Sequence, residues 1–209
     1  MRYFSKISGA LILSFILSGC SSLPPFNFSA KNIQISKNII KEDLKSITVG
    51  IAHPDEKTGS IDSGTHLTLP AFKEALTEAI DKAAIFRDNA QTHVNLQATI
   101  MKMDTPTFGA TMETDMECRY NIVDRDSGNS LFSENIASKG KVPMGFSWLG
   151  AIRARESANR AFQNNISLFI DKLENSSIAE SRNADVVPQV SNSDQNRVPL
   201  KNDVKYANN

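Results

Sequence analysis

Four stretches of the chain alternate apolar and polar residues, which is the period of a strand with one buried face. They cover about 47–51, 94–100, 112–122 and 131–141. The stretch 112–122 is the clearest, with Met, Thr, Cys, Tyr and Ile on one face and charged or amide side chains on the other. An Asp-Ser-Gly-Asn sequence at 126–129 predicts a turn before the last stretch. Because one face of each strand is polar, mainly antiparallel pairing is expected.

Two other stretches repeat apolar residues every three or four positions, as in an amphipathic helix. The first begins at Pro70, where a missing N–H costs little, and ends near Phe86. The second runs from about 147 to 173, with Arg155 and Asn159 interrupting its apolar stripe. The order β-α-β-β-β-α predicts one α+β domain over 46–174, a four-stranded, mainly antiparallel sheet with two helices on one face.

The N-terminal residues predict an export signal. Basic residues precede a mostly apolar run at 7–17, which is eleven residues long and shorter than the roughly 20 residues of a membrane-spanning helix. The following Leu17-Ser18-Gly19-Cys20 matches the lipobox of bacterial lipoproteins. That match implies a signal peptide over 1–19 and acylation of Cys20. An ordinary cleaved signal with a chance cysteine is the alternative.

The same match predicts where the protein is located. Ser21 follows the cysteine where an inner-membrane retention signal would have Asp, which implies the outer membrane, with the domain facing the periplasm. Residues 20–45 are predicted to be the lipidated cysteine and a tether, with an early strand at the alternating Ile33 and Ile35 as the alternative for part of it. After Glu174 the sequence is polar and aperiodic, so 175–209 are predicted to form a disordered tail.

The net charge of the chain argues against two classes of binding partner, nucleic acids and anionic membrane surfaces. Cleavage after residue 19 removes Arg2 and Lys6 and leaves 21 Lys and Arg against 23 Asp and Glu, a formal charge of −2. This balance provides no basic surface for nucleic acid and argues against charge-driven binding to an anionic membrane. The acyl chains on Cys20 are therefore expected to hold the protein at the membrane.

The sequence carries no pattern typical of catalysis. It lacks a Gly-x-Ser-x-Gly elbow and a phosphate-binding glycine loop, and its three histidines share no metal-ligand spacing. The 124–129 segment does not have the glycine and glutamate positions of a calcium loop. We therefore expect no enzymatic activity, no metal and no cofactor. An envelope hydrolase is the remaining hypothesis of another class, and convergent carboxylates or a Ser–His contact in a cleft would favour it. Cys118, on the apolar face of its strand, is expected to be buried and inert.

Two groups of residues are candidates for binding a partner. Glu113, Asp115 and Glu117 lie on one strand face, spaced about 6.8 Å apart, and would form an acidic docking surface. A solvated outer sheet face is the alternative. Phe146 and Trp148 lie between glycines at a strand-to-helix junction and would form an exposed aromatic anchor. In the alternative, Trp148 packs against the end of the core.

Basic residues also gather at the start of the last helix. They would form an exposed helix edge, or a site for an anion or acidic partner. The group consists of Lys139, Lys141, Arg153, Arg155 and Arg160.

The chain resembles a broad set of small bacterial envelope lipoproteins. The similarity covers about 40–174 and lies in Phe72-x-x-Ala75-Leu76-x-x-x-Ile80, in Asp104-x-Pro106-x-Phe108-Gly109, and in the hairpin and helix that follow. It is nearest to an uncharacterised lipoprotein family and more distantly resembles domains of the curli-export lipoprotein and of lipoprotein activators of penicillin-binding proteins. None of these motifs is catalytic.

We expect a lipid-anchored module that acts by binding. It would be an accessory to an envelope assembly, with an envelope protein or a second copy of itself as partner. A carrier of a lipid or small ligand is the alternative, and an apolar cavity between helices and sheet would favour it.

Overall fold

The computed structural model describes residues 23–182, which form an α+β domain. A mixed four-stranded sheet has two helices on one face, so the predicted fold class is confirmed. The strands are β1 (Asn38–Ile40), β2 (Asp43–Ile51), β3 (His93–Asp104), β4 (Met112–Asp124), β5 (Ser130–Val142) and β6 (Ala179–Ser181), and the helices are α1 (Leu69–Ala83) and α2 (Gly150–Glu174).

The main sheet has the spatial order β2-β3-β4-β5. The β3–β4 and β4–β5 pairs are antiparallel, as expected, whereas β2 and β3 are parallel. The parallel pair follows from the connection, because α1 carries the chain back across the sheet before β3 begins.

Aromatic side chains fill the layer between the helices and the sheet. The Tyr120 and Phe169 rings stack with centroids 4.0 Å apart, and Phe28 stacks on Phe162 at the same distance. Phe72 of α1 contacts Phe162 as well, at 5.0 Å. Both helices therefore share one packed core with the inner face of the sheet.

Helix α2 lies unusually close to β5 at Gly140. A Cβ atom at this position would lie 1.9 Å from the Ser157 carbonyl oxygen and 2.4 Å from the Ala161 nitrogen. Buried hydrogen bonds fix the helix there, since the Tyr120 hydroxyl donates to Asn165 Oδ1 at 2.8 Å. Asn165 Nδ2 in turn donates to the Ile136 carbonyl at 2.8 Å. Glycine is therefore required by the close approach, and not by its φ angle.

The structure corrects the predicted tether. Phe28 and Ile40 are buried in the core, and β2 begins at Asp43, before the predicted domain boundary at 46. Asn27 is held on both sides, as its N–H donates to Asn159 Oδ1 at 3.1 Å and its carbonyl accepts from Gln163 Nε2 at 2.8 Å. Phe26, Phe28 and Ala30 alternate with Asn27 and Ser29, but this run is short and belongs to no strand, so the pattern did not mark the segment as part of the domain.

The start of the predicted tail also belongs to the fold. Residues 179–181 form β6, which pairs antiparallel with β1, and Arg182 Nη2 donates to the Ala84 carbonyl at 2.8 Å. Helix α1 ends at Ala83, slightly before the predicted end near Phe86. The predicted signal peptide, Cys20 and residues 183–209 lie outside the described residues.

Candidate functional site

Exposed apolar side chains concentrate at one end of the domain, which we call the apolar end. It comprises three connections: 63–68 before α1, 105–111 between β3 and β4, and 143–149 between β5 and α2. The first described residue, Leu23, lies beside them. The exposed large side chains here are those of Leu23, Leu67, Phe108, Met144, Phe146 and Trp148.

The fold brings these connections together. Strands β3 and β5 end where β4 and α2 begin, and a buried arginine joins the loops. Arg153, only 4% exposed, donates through Nη1 to the carbonyls of Ser147 at 2.6 Å and Trp148 at 3.2 Å. Its Nη2 donates to the Gly109 carbonyl at 2.8 Å. One guanidinium group therefore fixes the backbone beneath both Trp148 and the 105–111 loop.

An open groove of about 450 Å³ runs between the connections. The N-terminal segment lies along it, because the Arg155 guanidinium stacks over the Phe26 ring at 3.7 Å and donates to the Pro24 carbonyl at 3.3 Å. The apolar lining consists of Leu23, Phe26, Leu67, Met103, Pro106, Ala151, Ala154 and Ala158. The chain therefore leaves the described domain at the apolar end.

The three loops of the apolar end contain no formally charged residue, and charged side chains reach its edge only from neighbouring segments: Asp62 and Arg155 line the groove and Arg160 lies near Phe146. The segments 63–72, 105–112 and 142–152 contain no Asp, Glu, Lys or Arg, although 22% of the chain is charged. The opposite end differs, since the β4–β5 turn carries Asp124, Arg125 and Asp126. The loops at the two ends of the sheet therefore differ in charge, although the first turns of α2 carry Arg153, Arg155 and Glu156.

Phe146 and Trp148 both lie on this surface. Trp148 is 85% exposed and Phe146 is 49% exposed, so the structure favours the exposed anchor over the alternative in which Trp148 packs against the core. The Arg160 guanidinium lies 5.4 Å from the Phe146 ring centroid. Their binding of a partner stays a prediction.

Glu113, Asp115 and Glu117 lie on the outer face of the sheet, as their strand pattern indicated. Lys139 Nζ lies 2.8 Å from Glu113 Oε1 and 3.0 Å from Asp115 Oδ1. Glu117 accepts from Thr58 Oγ1 at 2.9 Å and from Asn135 Nδ2 at 3.0 Å. Cross-strand partners therefore pair all three carboxylates, and the face is a ladder of mixed charge.

The ion pairs on this face shift the pKa values of the paired groups. The hydrogen bond from Lys139 lowers the pKa of Asp115, with a further contribution from Lys102, whose Nζ lies 3.4 Å away. In the same way, hydrogen bonds to Glu113 and Asp115 raise the pKa of Lys139. Each charge stabilises the ionised form of its neighbour, so the face holds its ion pairs at neutral pH.

Cys118 is buried on the inner face, as expected. Burial raises the pKa of its thiol far above the ordinary value, which removes the reactive thiolate at neutral pH. Within residues 23–182, no group of three or more His, Cys, Asp or Glu side chains has the arrangement of a metal site. No helix of this same region is long and apolar enough to cross a membrane.

Sequence reasoning did not identify most of the apolar end. Leu67 and Phe108 lie in loops far apart along the chain, and only the tertiary structure places them at the same end of the domain as Trp148. Arg153 was expected on an exposed basic edge, but it is buried as a donor to backbone carbonyls. The one signal in the sequence was the absence of charged residues from three separate loop segments.

Comparison with known proteins assigns no family to the chain. No family model matches it, and no curated protein matches its sequence. Solved structures give distant likenesses. Protein XCC0632 from Xanthomonas campestris has 6% identity and a TM-score of 0.46, covering 71% of this chain and 90% of that protein.

Two further similar structures are bacterial lipoproteins. Lipoprotein GNA1162 from Neisseria meningitidis has 13% identity and a TM-score of 0.34, and the match covers 63% of this chain and 99% of that lipoprotein. A minor lipoprotein from Acinetobacter baumannii has 7% identity and a TM-score of 0.36, covering 62% and 92%. Likenesses at this level assign neither a partner nor an activity to this chain.

Proposed function

We propose that the protein is a lipoprotein, held at the outer membrane by acylated Cys20, whose periplasmic domain acts by binding as an accessory to an envelope assembly. The lipobox motif supports the anchor. The observation that carries the binding role is the apolar end, where Trp148 is exposed at the same end of the domain as the point at which the chain leaves it.

An exposed aromatic side chain can contribute favourable free energy to binding when a partner covers it. A large aromatic side chain buries about 150–250 Å² when it is covered. At about 25 cal/mol per Å², that burial contributes roughly 4–6 kcal/mol before the costs of association. Phe108 and Trp148 both remain exposed although the core beside them is filled. A surface of this kind is typical of a protein or membrane contact.

The outer sheet face is the second candidate surface of the same module. No helix of the described chain covers it, and its Glu113, Asp115 and Glu117 are paired rather than free. A protein partner would therefore meet a polar surface with alternating charges. This arrangement favours orientation and specificity over affinity.

A carrier of a lipid or small ligand is the alternative function. The aromatic stacking between the helices and the sheet fills the place where a buried ligand would lie, which argues against an internal site. The surface groove that includes Leu67 and Met103 favours the carrier, because it is apolar and open. Native mass spectrometry of the protein extracted from membranes tests this, since a carrier retains a stoichiometric ligand.

Photo-crosslinking in intact cells tests the accessory function. Benzoylphenylalanine is placed at Ala137 on the outer sheet face, at Phe146 on the apolar end, or at the control position Ile35. Ile35 is exposed at the far end of α2, in a groove shared with Glu174. We expect a discrete protein adduct at Ala137 and none at Ile35, and an adduct at Phe146 would show that a protein also reaches the apolar end. The same pattern at all three positions, or no adduct at any, would overturn the proposal.

Acyl labelling tests the anchor separately. Cys20→Ser should abolish incorporation of labelled palmitate, because the acylated thiol is removed. Cys118→Ser is the matched control and should label as the unchanged protein does, since that thiol is buried. Persistent labelling of the Cys20→Ser variant would contradict the lipoprotein assignment.

A further inference from the structure

We propose that the apolar end is a membrane-contacting surface, with Phe108, Phe146 and Trp148 in the interfacial layer of the bilayer that holds the acyl chains of Cys20. The inference rests on the proposed lipid anchor and names the occupant of the surface described above. The bilayer contacts the apolar end, and the outer sheet face remains available to a protein partner.

The covalent chain sets the distance between the anchor and the domain. Leu23, the first described residue, follows Cys20 by three positions. Three residues span at most about 10–11 Å when fully extended. One headgroup layer is roughly 5–8 Å thick, which is half of the difference between the total thickness of a bilayer and that of its hydrocarbon core. The groove at Leu23 must therefore lie at or just above the headgroups.

The domain cannot swing away on a longer tether. Phe26 lies under the Arg155 guanidinium, Asn27 hydrogen-bonds to Asn159 and Gln163, and Phe28 is buried against Phe162. These contacts begin within a few residues of Leu23, so the whole domain is held at the same short distance from the membrane. The end of α2 that carries Ala151 and Arg155 is consequently its membrane-proximal end.

The chemistry of the apolar end suits the interfacial layer. Tryptophan is enriched at membrane–water interfaces because its ring is apolar and its N–H is polar. Trp148 is here accompanied by Phe146 and Met144, with no formal charge between residues 142 and 152. The three loops therefore bring no charge of their own into the interfacial layer, and Arg155 and Arg160 at the edge place their guanidinium groups at the headgroup level, where long basic side chains are tolerated. The charged β4–β5 turn lies at the opposite end of the sheet.

The same distance argues against a folded protein as the occupant. A single α-helix with its side chains is about 10–12 Å in diameter, which already equals the longest possible gap between Cys20 and Leu23. A second folded protein between the apolar end and the bilayer would therefore need the acyl chains to leave the membrane.

Trp148 is the only tryptophan of the chain, so its fluorescence reports on this surface alone. The lipidated protein is reconstituted into phosphatidylcholine–phosphatidylglycerol vesicles, with or without phosphatidylcholine brominated on its acyl chains. We expect blue-shifted emission and strong quenching by the brominated lipid. Trp148→Phe combined with Phe108→Trp moves the reporter to the neighbouring loop and should be quenched similarly.

Trp148→Phe combined with Ile35→Trp is the matched control. It places the reporter at an exposed position at the far end of α2, and its quenching should be several-fold weaker. Equal quenching at the two ends, or none at Trp148, would overturn the inference. Both replaced side chains are exposed, so the variants should fold.

Flotation of the same vesicles separates the two proposals. Protein that carries no acyl group by mass spectrometry and does not float with the vesicles would contradict the anchor and hence the proposed function. Acylated protein that floats but shows no quenching at Trp148 would contradict only the membrane contact.

Discussion

The apolar end and the outer sheet face are both exposed. Neighbouring side chains pair the charges of the sheet face, whereas nothing in the described chain covers the aromatic side chains of the apolar end. On the sheet face, Lys139 pairs with Glu113 and Asp115, and Arg119 Nη2 lies 2.9 Å from Glu56 Oε1. On the apolar end, Trp148 and Phe108 remain uncovered. The residues that look most charged in the sequence are therefore neutralised in the fold, and the uncharged loops form the unsatisfied surface.

The energies of the two surfaces differ in the same direction. An exposed ion pair contributes about 0–1 kcal/mol, because water already solvates both charges. Covering a large aromatic side chain contributes several times more. We therefore expect association with other molecules to depend on the apolar end for affinity and on the sheet face for orientation. The predictions that follow test this separation, from the largest effect to the smallest.

Gly140→Ala should affect both regions at once. The new Cβ would collide with the Ser157 carbonyl of α2, so the helix must move off the sheet, at a cost of roughly 3 kcal/mol or more in the free energy of unfolding. Chemical denaturation followed by circular dichroism measures this loss. Gly50→Ala is the control, because that position has free space around it. Equal stability of the two variants would contradict the close helix approach.

Arg153→Met should loosen only the apolar end. It removes the charged donors to the carbonyls of Ser147, Trp148 and Gly109, at an expected cost of about 2–3 kcal/mol. Hydrogen exchange should accelerate at 105–111 and 143–149 and remain unchanged in β4. Arg119→Met removes an exposed cation of the sheet face and should cost less than about 1 kcal/mol. Similar losses for both variants would remove the distinction between the two regions.

Lys139→Gln should have a small effect that is confined to the sheet face. The expected loss is less than about 1 kcal/mol, and it should fall further at high salt because the pairs are exposed. The pKa of Asp115 should rise towards its ordinary value, since the largest cause of its lowering is removed. Nuclear magnetic resonance titration of the carboxyl group measures this. An unchanged pKa would contradict the pairing.

The sign of the pH dependence follows from the same pKa. Because the folded-state pKa of Asp115 is lowered, its stabilising contribution is present above the unfolded value of about 3.9 and is lost as the pH falls below it. The unchanged protein should therefore lose more stability than Lys139→Gln between about pH 4 and pH 2. An identical acid profile would show that the pair contributes nothing measurable.

Trp148→Ser should leave the stability within about 0.5 kcal/mol, because an exposed side chain supports little of the fold. Tyr120→Phe is the contrast, since it leaves the buried side-chain oxygen Oδ1 of Asn165 without its donor and should cost about 1–3 kcal/mol. Thermal unfolding of the two variants measures the difference. A large loss for Trp148→Ser would mean that the apolar end supports the core.

Local patterns predicted the regular elements because each pattern reports on its own strand or helix. Alternation at 112–122 placed Cys118 and Tyr120 on the buried face and Glu117 on the outer one, and the structure agrees. Such patterns failed for 26–40, where Phe28 packs into the core from an irregular segment. The alternation of Phe26, Phe28 and Ala30 covers only five residues, which is too short to predict a buried element on its own.

The amino-acid sequence alone determined the order of the four strands of the main sheet and the two helices, the division of their faces and the lipobox at Cys20, because each is a property of neighbouring residues. The tertiary structure decided which residues meet across the fold. It paired Lys139 with the acidic strand, buried Arg153, and placed Phe108, Trp148 and Leu23 at one end. Those contacts depend on strand register and on the position of α2 at Gly140, which only the folded chain specifies.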